Sequence, residues 1–377
     1  MDTTELDRTS LENILEPVQA DLEELVAISS PSGDRTGAEA ALAVCARRLP
    51  AGVSLERIPC SSPDHAPDML ARIAGAGSSR ILLLGHVDTV VGHPDHRPVE
   101  REGDVWRGSG TVDMKGGVAL SLGVASWLSE HRHLFGELSV LLVVDEEWRL
   151  QPFSHPLRFE GYDACLCFEA GERTSAGAEG VVVQRKAAGT VQVSAHGRAA
   201  HAGSHPDAGI NALLAVAEAA RVAAALHDPA GSEQLSVVPA RISSGEAMNV
   251  VPAEGQLTVD VRARDDSAFA RVLDAIPRAY NGARLDVELL RSWPGMDSRA
   301  ATAVLLEAAS ARLGRQIVGV ARGGASDASH FAASIPLTID GLGPRGGHAH
   351  SPEEYILRSS LRERLQVAIA ICEALTV

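Results

Sequence analysis

The amino-acid sequence predicts an α/β protein: a mostly parallel sheet domain interrupted by a second domain of ferredoxin-like βαββαβ order. Three observations lead to this fold class. The chain has 377 residues, more than one ordinary core holds and about right for two domains. Four short apolar runs (ILLL at 81–84, LSVLLVV at 138–144, ACLCF at 164–168 and IPLTI at 335–339) alternate with segments of helical spacing. Residues 189–292 instead read as strand, helix, two strands, helix and strand, an order that starts and ends inside the first pattern.

Taken in order, residues 11–28 place Leu11, Ile14, Leu15, Val18, Leu22, Leu25 and Val26 at helical spacing, and SSPSGD at 29–34 stops that helix. A second, Ala-rich helix is expected at 36–49. GGVALSLGVASWLSEH at 116–131 has the pattern of a helix between the first two buried strands. Within 189–292 the expected elements are the strand TVQVSAHG, a helix from Ile210 to about Leu226, and the strands LSVVPARIS and GQLTVDVRA. A helix from Ser267 to about Ala279 and the strand RLDVELL complete the set. The chain then returns through a helix at 299–313 to the IPLTI strand, so the boundaries read 1–188, 189–292 and 293–377.

Composition bounds the function. The chain is 45% hydrophobic and 22% charged, which suits a globular protein with a sizeable core. Its net charge of −15, from 49 acidic against 34 basic residues, argues against nucleic acid or an anionic membrane as partner. No apolar run approaches the roughly 20 residues that cross a bilayer. The acidic opening MDTTELDRTSLENILE lacks the pattern of a secretory leader, and a cytoplasmic location is expected. The five cysteines have neither zinc-ribbon nor disulfide spacing, and Cys165 and Cys167 read as strand-packing residues.

The chemistry is expected where the strands end. ILLL leads into His86 and Asp88, LSVLLVV into Asp145-Glu146-Glu147, ACLCF into Glu169, and IPLTI into a glycine-rich loop carrying His348 and His350. GSGTVDMKGG at 108–117 adds Asp113 just before a helix. Ligands of open α/β sheets bind beyond the carboxyl ends of the strands, so these side chains converge on one crevice. A set of carboxylates and imidazoles without cysteine suits two divalent cations, Zn²⁺ first and Co²⁺ or Mn²⁺ less distinctively. One carboxylate would bridge ions about 3.5–4 Å apart, and a neighbouring one left off the metals could act as general base. Glu146 and Glu147 are placed to divide those roles, and Asp88 to orient His86.

GHVDTV, GSGTVDMKGG, VVDEE, CFEAG, HGRAAHAGSHPDAGINA, MNVVPAEGQLTVDVRAR, GGASDASHF and GGHAHSPEE together resemble a known family over nearly the whole chain. It is the dizinc metallopeptidase and amidohydrolase family of glutamate carboxypeptidase, acetylornithine deacetylase, succinyl-diaminopimelate desuccinylase and aminoacylase, and the folate-cleaving glutamate carboxypeptidases look most similar. The resemblance implies Asp113 as bridging ligand, with His86 and Glu169 completing one metal site, and Glu147 and His350 the other. It also implies Asp88 as the residue orienting His86, Glu146 as general base, and a cis peptide at Asp113-Met114. In the inserted domain, His201 matches the histidine that polarises the scissile carbonyl from a partner subunit, and Asn249 and Arg262 match substrate-contacting positions. A homodimer formed through 189–292 follows from the same likeness, as does a closing motion that assembles the site. The implied substrate is a small molecule with an amide beside a carboxylate.

Two departures from the family pattern stand out. Trp148-Arg149-Leu150-Gln151-Pro152 replaces the Gly-Ser that usually follows the two glutamates, and Trp293 stands where glutamate carboxypeptidases carry an arginine before proline. The second weakens a glutamate preference, with Arg291 two residues away. His348 rivals His350 as a ligand, and the step His350-Ser351 favours the latter. His93, His96, His131 and His133 read as surface, His205 shares a loop with His201, Arg185-Lys186 reads as solvated, and Asp327 reads as a structural or supporting carboxylate. Carboxypeptidase-like cleavage leads. The alternatives are an N-acyl-amino-acid deacylase, an amidohydrolase of ureido or cyclic compounds, and a catalytically silent metal-binding relative.

Overall fold

The computed structural model describes residues 8–375 and divides into two compact units. The first seven residues, part of the opening read above for a leader, lie outside the described residues. One unit comprises the chain up to Gln184, then Met296–Ala321, then Ser326 onward; the other comprises Arg185–Gly295 and Arg322–Ala325.

In the first unit a six-stranded sheet runs in the order Ser54–Ile58, Asp68–Ala74, Glu137–Val143, Arg80–His86, Ala164–Cys167, Leu337–Ile339. The last four strands are mutually parallel, and the first two are antiparallel additions at one edge. The ILLL run shows why parallel strands read as continuous apolar stretches. Ile81 and Leu83 enter the core on one face, while Leu82 and Leu84 enter the core on the other. Each of these fully buried side chains contributes about 1.5–3 kcal/mol by leaving water. Cys165 and Cys167 share a face with Leu82 and Leu84, buried and unbridged.

Helices Arg8–Val26, Gly116–Glu130 and Arg358–Ala374 cover one face of that sheet. Gly116–Glu130 is buried almost all round. Its second residue explains how close it comes to the strand ends: a Cβ on Gly117 would lie 1.8 Å from the carbonyl oxygen of Phe168. Only glycine lets the helix start press against the residue that precedes Glu169.

Two small sheets were not legible beforehand. Glu179–Arg185 pairs with Met296–Asp297 and Ile317–Arg322, and Tyr355–Leu357 pairs with Val105–Arg107. The second pairing matters for the site. Tyr355 lies opposite Arg107, so the segments 108–113 and 348–354 leave the same end of an antiparallel ladder.

The second unit is an antiparallel sheet in the order Ser236–Ser244, Glu254–Ala263, Ala187–His196, Ala283–Trp293, Ala279–Tyr280. Numbering its four long strands along the chain gives the order 2-3-1-4, the ferredoxin-like arrangement expected from the element order. Val191, Val193, Val259 and Val261 face helices Ala212–Ala224 and Phe269–Ala275. The second helix is shorter than its sequence pattern suggests. Ile276 turns to extended geometry because Pro277 follows it, and a residue before proline avoids the helical region. Among the described residues no helix is long and apolar enough to cross a membrane.

Candidate metal centre

His86 ends its strand with an imidazole 1% exposed. Its Nδ1 lies 3.0 Å from the Asp88 carbonyl oxygen and 3.3 Å from Asp88 Oδ1, so that nitrogen donates to Asp88 and Nε2 points inward. The Asp88 carboxylate has a second task. Its two oxygens accept the backbone N–H groups of Glu146 (3.2 Å) and Glu147 (3.1 Å). One carboxylate therefore sets both the imidazole and the glutamate pair.

Asp113 lies at the centre, in a tight turn with non-helical backbone and a cis Asp113-Met114 peptide. Its Oδ1 is 3.3 Å from His86 Nε2, and its Oδ2 is 2.9 Å from His350 Nε2. Glu169 Oε1 lies 3.6 Å from His86 Nε2, and Glu147 Oε2 lies 3.4 Å from His350 Nε2. Two groups of potential ligands result, His86-Asp113-Glu169 and Asp113-Glu147-His350, with the ligand atoms of each within 4.8 Å of one another. They share Asp113, one oxygen to each side. His350 reaches this position from the left-handed backbone region, φ +66°. His348 is also left-handed but sits beside Tyr355, its carbonyl oxygen accepting the Ser351 N–H. The loop thus brings His350, not His348, to the carboxylates.

Cations fit this arrangement. His86 Nε2 is buried, makes no hydrogen bond, and faces the carboxylates of Asp113 and Glu169. Carboxylates crowded together in a buried site repel one another unless positive charge lies among them. The charge preferences agree. Burial alone would lower His86, but the carboxylates of Asp113, Asp88 and Glu169 outweigh it and raise its pKa well above the histidine range. Burial raises Glu146 well above the carboxylate range; His86 opposes this, while Asp327, Glu147 and Glu169 reinforce it. Glu146 is buried and belongs to neither ligand group among the described residues.

A profile of Peptidase family M20/M25/M40 matches residues 82–374. The chain belongs to that peptidase family. It is 29% identical over 363 residues to carboxypeptidase G2 of Pseudomonas sp. (strain RS-16), covering 92% of this chain and 86% of that one. It is 31% identical over 296 residues to the putative succinyl-diaminopimelate desuccinylase DapE of Mycobacterium tuberculosis (strain ATCC 25618 / H37Rv), covering 73% and 77%. The crystal structure of aminopeptidase PepT from Bacillus cereus ATCC 10987 superposes with TM-score 0.76 at 21% identity, over 96% of this chain and 99% of that one. That likeness concerns the fold. As an M20 peptidase, the chain is a hydrolytic, metal-dependent enzyme acting on amide bonds.

The residues singled out from the sequence in the second unit are placed as follows. His201 is exposed, and its Nδ1 accepts the backbone N–H groups of Gly203 (3.1 Å) and Ser204 (3.0 Å). Two donors on Nδ1 leave Nε2 to carry the proton, so the imidazole presents an N–H outward. Asn249 is its neighbour, since the Asn249 carbonyl oxygen accepts the Ala202 N–H at 2.9 Å. Arg262 lies along a strand and is paired with Asp260. Trp293 is buried, with the Arg291 guanidinium stacked 3.8 Å from its ring.

The unusual loop after the glutamates is held by a residue whose part was missed. Arg149 is 1% exposed and lies between Asp145 and Asp327, while Trp148 and Leu150 on either side are largely exposed. The i, i+4 spacing of Asp145 and Arg149 was the available signal. Beneath them, Asp68 accepts the Val144 N–H and faces His155 Nε2 at 2.7 Å. Cys60 joins Asp68 and Asp145 in a further acidic group, but both carboxylates are already bonded within the protein.

Metal uptake should be linked to protons. Hydrogen bonds donated by His350 to Asp113 and then Glu147 raise its pKa to about 10, against a smaller loss from burial. This raised value stabilises the metal-free fold below the ordinary histidine pKa and stops doing so as pH rises through about 10. A cation needs the neutral imidazole, so binding near neutral pH should release about one proton from His350, and affinity should climb with pH. Calorimetry of Zn²⁺ binding in buffers of different ionisation enthalpy counts that proton. Affinity independent of pH from about 6 to 9, with no proton released, would contradict the geometry.

Proposed function

We propose that the chain is a two-metal, carboxypeptidase-like hydrolase that cleaves the amide of a small peptide or N-acyl amino acid. The observation that carries this reading is Asp113, which offers one oxygen to the His86-Glu169 group and the other to the Glu147-His350 group. Two divalent cations held there, with Zn²⁺ favoured by the mixed imidazole and carboxylate set, would supply Lewis-acid activation of water and carbonyl. The protein's own residues do the rest. Asp88 keeps His86 in one tautomer and aims the Glu146-Glu147 dipeptide. Glu146 takes the proton of the attacking water and returns it to the leaving amine, a task suited to a carboxyl whose pKa is raised. His201, donating from Nε2, stabilises the oxyanion as the tetrahedral carbon forms.

In this reading His201 serves the centre of a second copy, in a homodimer formed through residues 189–292. Exposed Leu213 and Leu214 on one helix, and Val238 and Ile242 on the edge strand Ser236–Ser244, support an interface there. Asn249, beside His201, would contact the substrate; Arg262, paired with Asp260, would need to exchange that partner to do so.

Trp293 bears on the glutamate preference. A buried indole capped by Arg291 cannot replace an arginine that binds a side-chain carboxylate, so neutral acyl amino acids are favoured over acyl-glutamates. The test is hydrolysis by the purified protein with added Zn²⁺ or Co²⁺, each reaction paired with a chelator-treated control. The panel holds acyl-glutamates, acyl-ornithine, succinyl-diaminopimelate and neutral acyl amino acids. We expect chelator-sensitive turnover, fastest on a substrate other than acyl-glutamate. Preference for acyl-glutamate would overturn the specificity argument. Two metals bound with no turnover of any amide would favour a silent relative.

A further inference from the structure

Glu354 lies four residues beyond His350 and is 2% exposed. Its carboxylate accepts three backbone N–H groups from the loop that carries Asp113: Oε2 takes Gly110 at 2.8 Å, and Oε1 takes Val112 at 2.8 Å and Asp113 itself at 2.9 Å. Its carbonyl oxygen accepts a fourth, from Gly108 at 3.0 Å. The attachment spans 241 residues of sequence between Asp113 and Glu354. It sits where the ladder between Tyr355–Leu357 and Val105–Arg107 ends.

We infer that Glu354 is a positioning residue that holds Asp113 and His350 in their metal-binding arrangement before any cation arrives. This role rests on the two-metal reading above and on where the loop's amides find acceptors. Residues 108–110 lie outside helix and strand, and Thr111–Lys115 is a single tight turn with non-helical backbone at Asp113, so the amides of Gly110, Val112 and Asp113 have no ladder to satisfy them. A carboxylate can accept all three because it has two oxygens and no hydrogen, whereas a glutamine has one oxygen and a donating amide. His86 and Glu169, by contrast, follow directly from strands of the large sheet, Arg80–His86 and Ala164–Cys167, and need no such device. Loss of Glu354 should therefore weaken the Asp113-Glu147-His350 side most, since both its loop residues depend on the link.

The test compares wild type with Glu354→Gln and Glu354→Asp by Co²⁺ or Zn²⁺ titration of chelated protein, followed calorimetrically and by the visible spectrum of bound Co²⁺. In Glu354→Gln we expect one of two sites to lose roughly 10–100-fold in affinity, with turnover recovering at high metal. Glu354→Asp keeps both oxygens on a shorter arm and should fall between. A purely structural role would lower thermal stability while leaving metal affinity and the Co²⁺ spectrum unchanged, and that result would overturn the inference. Wild type failing to take up two ions would instead sink the two-metal reading. Should the variants not fold, hydrogen exchange on chelated wild type decides. Amides of Gly110, Val112 and Asp113 should stay protected without metal, and solvent-like exchange there would refute the inference.

Discussion

Replacing Glu146 by glutamine is expected to lower kcat by roughly 10²–10⁴-fold while metal content stays at the wild-type level. The structure separates Glu146 from its neighbour in a way that makes this a sharp result. Glu147 Oε2 is 3.4 Å from His350 Nε2 and belongs to a ligand group, whereas Glu146 belongs to neither. Both are aimed by backbone N–H groups on the Asp88 carboxylate, and the Glu146→Gln change leaves that anchoring intact. What glutamine removes is the proton acceptor. Glu147→Gln should give the opposite pattern, with metal lost first and turnover lost as a consequence. Turnover measured beside metal analysis on both variants separates the roles. A Glu146→Gln protein that keeps full turnover would require a different general base.

The convergence of these side chains was legible in the sequence because parallel strands deliver polar residues at their carboxyl ends. Strands buried on both faces, such as Arg80–His86 with Ile81 and Leu82 facing opposite cores, leave an apolar run that cannot be mistaken for surface. The polar residue ending such a run is then conspicuous, as His86 and Glu169 are. Other parts carried no comparable signal. Glu100–Glu102 is fully exposed and Val105–Arg107 has one buried side chain, so neither shows a periodicity that announces a strand. Ser54–Ile58, an edge strand exposed at four of five positions, is equally silent. Glu354 carries no local signal within SPEE, because the amides it binds lie far away in sequence. Arg149 looked like a disruption of a familiar loop. Its buried partner Asp327 is 178 residues distant, and that distance hides the pair from any local reading.

Arg149→Leu is expected to destabilise the first unit by about 3–5 kcal/mol, the usual cost of breaking a buried ion pair from one side. The guanidinium is 1% exposed and bonded on both edges. Nε and one terminal nitrogen reach Asp145 Oδ1 at 3.0 and 2.8 Å, and the two terminal nitrogens reach Asp327 at 2.5 and 2.8 Å. Its flat face stacks on Phe153, 4.0 Å from the ring centre. Leucine would fill part of the volume but leave two buried carboxylates without their counter-charge. Lysine would restore a charge without the fork and should recover only part of the loss. Burial alone would raise Asp145, yet the Arg149 charge and the hydrogen bonds from Arg149 and Ser62 together outweigh it and hold this carboxyl below its ordinary value. Stability from the pair is therefore fully present above the unfolded aspartate value near 3.8 and fades as pH falls through the lower folded one. The variant should thus lag wild type most at neutral pH, and the gap should narrow in acid. Denaturant unfolding at several pH values measures this, and Arg149→Leu combined with Asp327→Asn should recover part of the deficit by removing one orphaned charge. A loss under about 1 kcal/mol at neutral pH would mean the pair does not hold the loop. Because Asp145 directly precedes Glu146, turnover of the folded Arg149→Leu fraction also asks whether this clamp keeps the general base aimed.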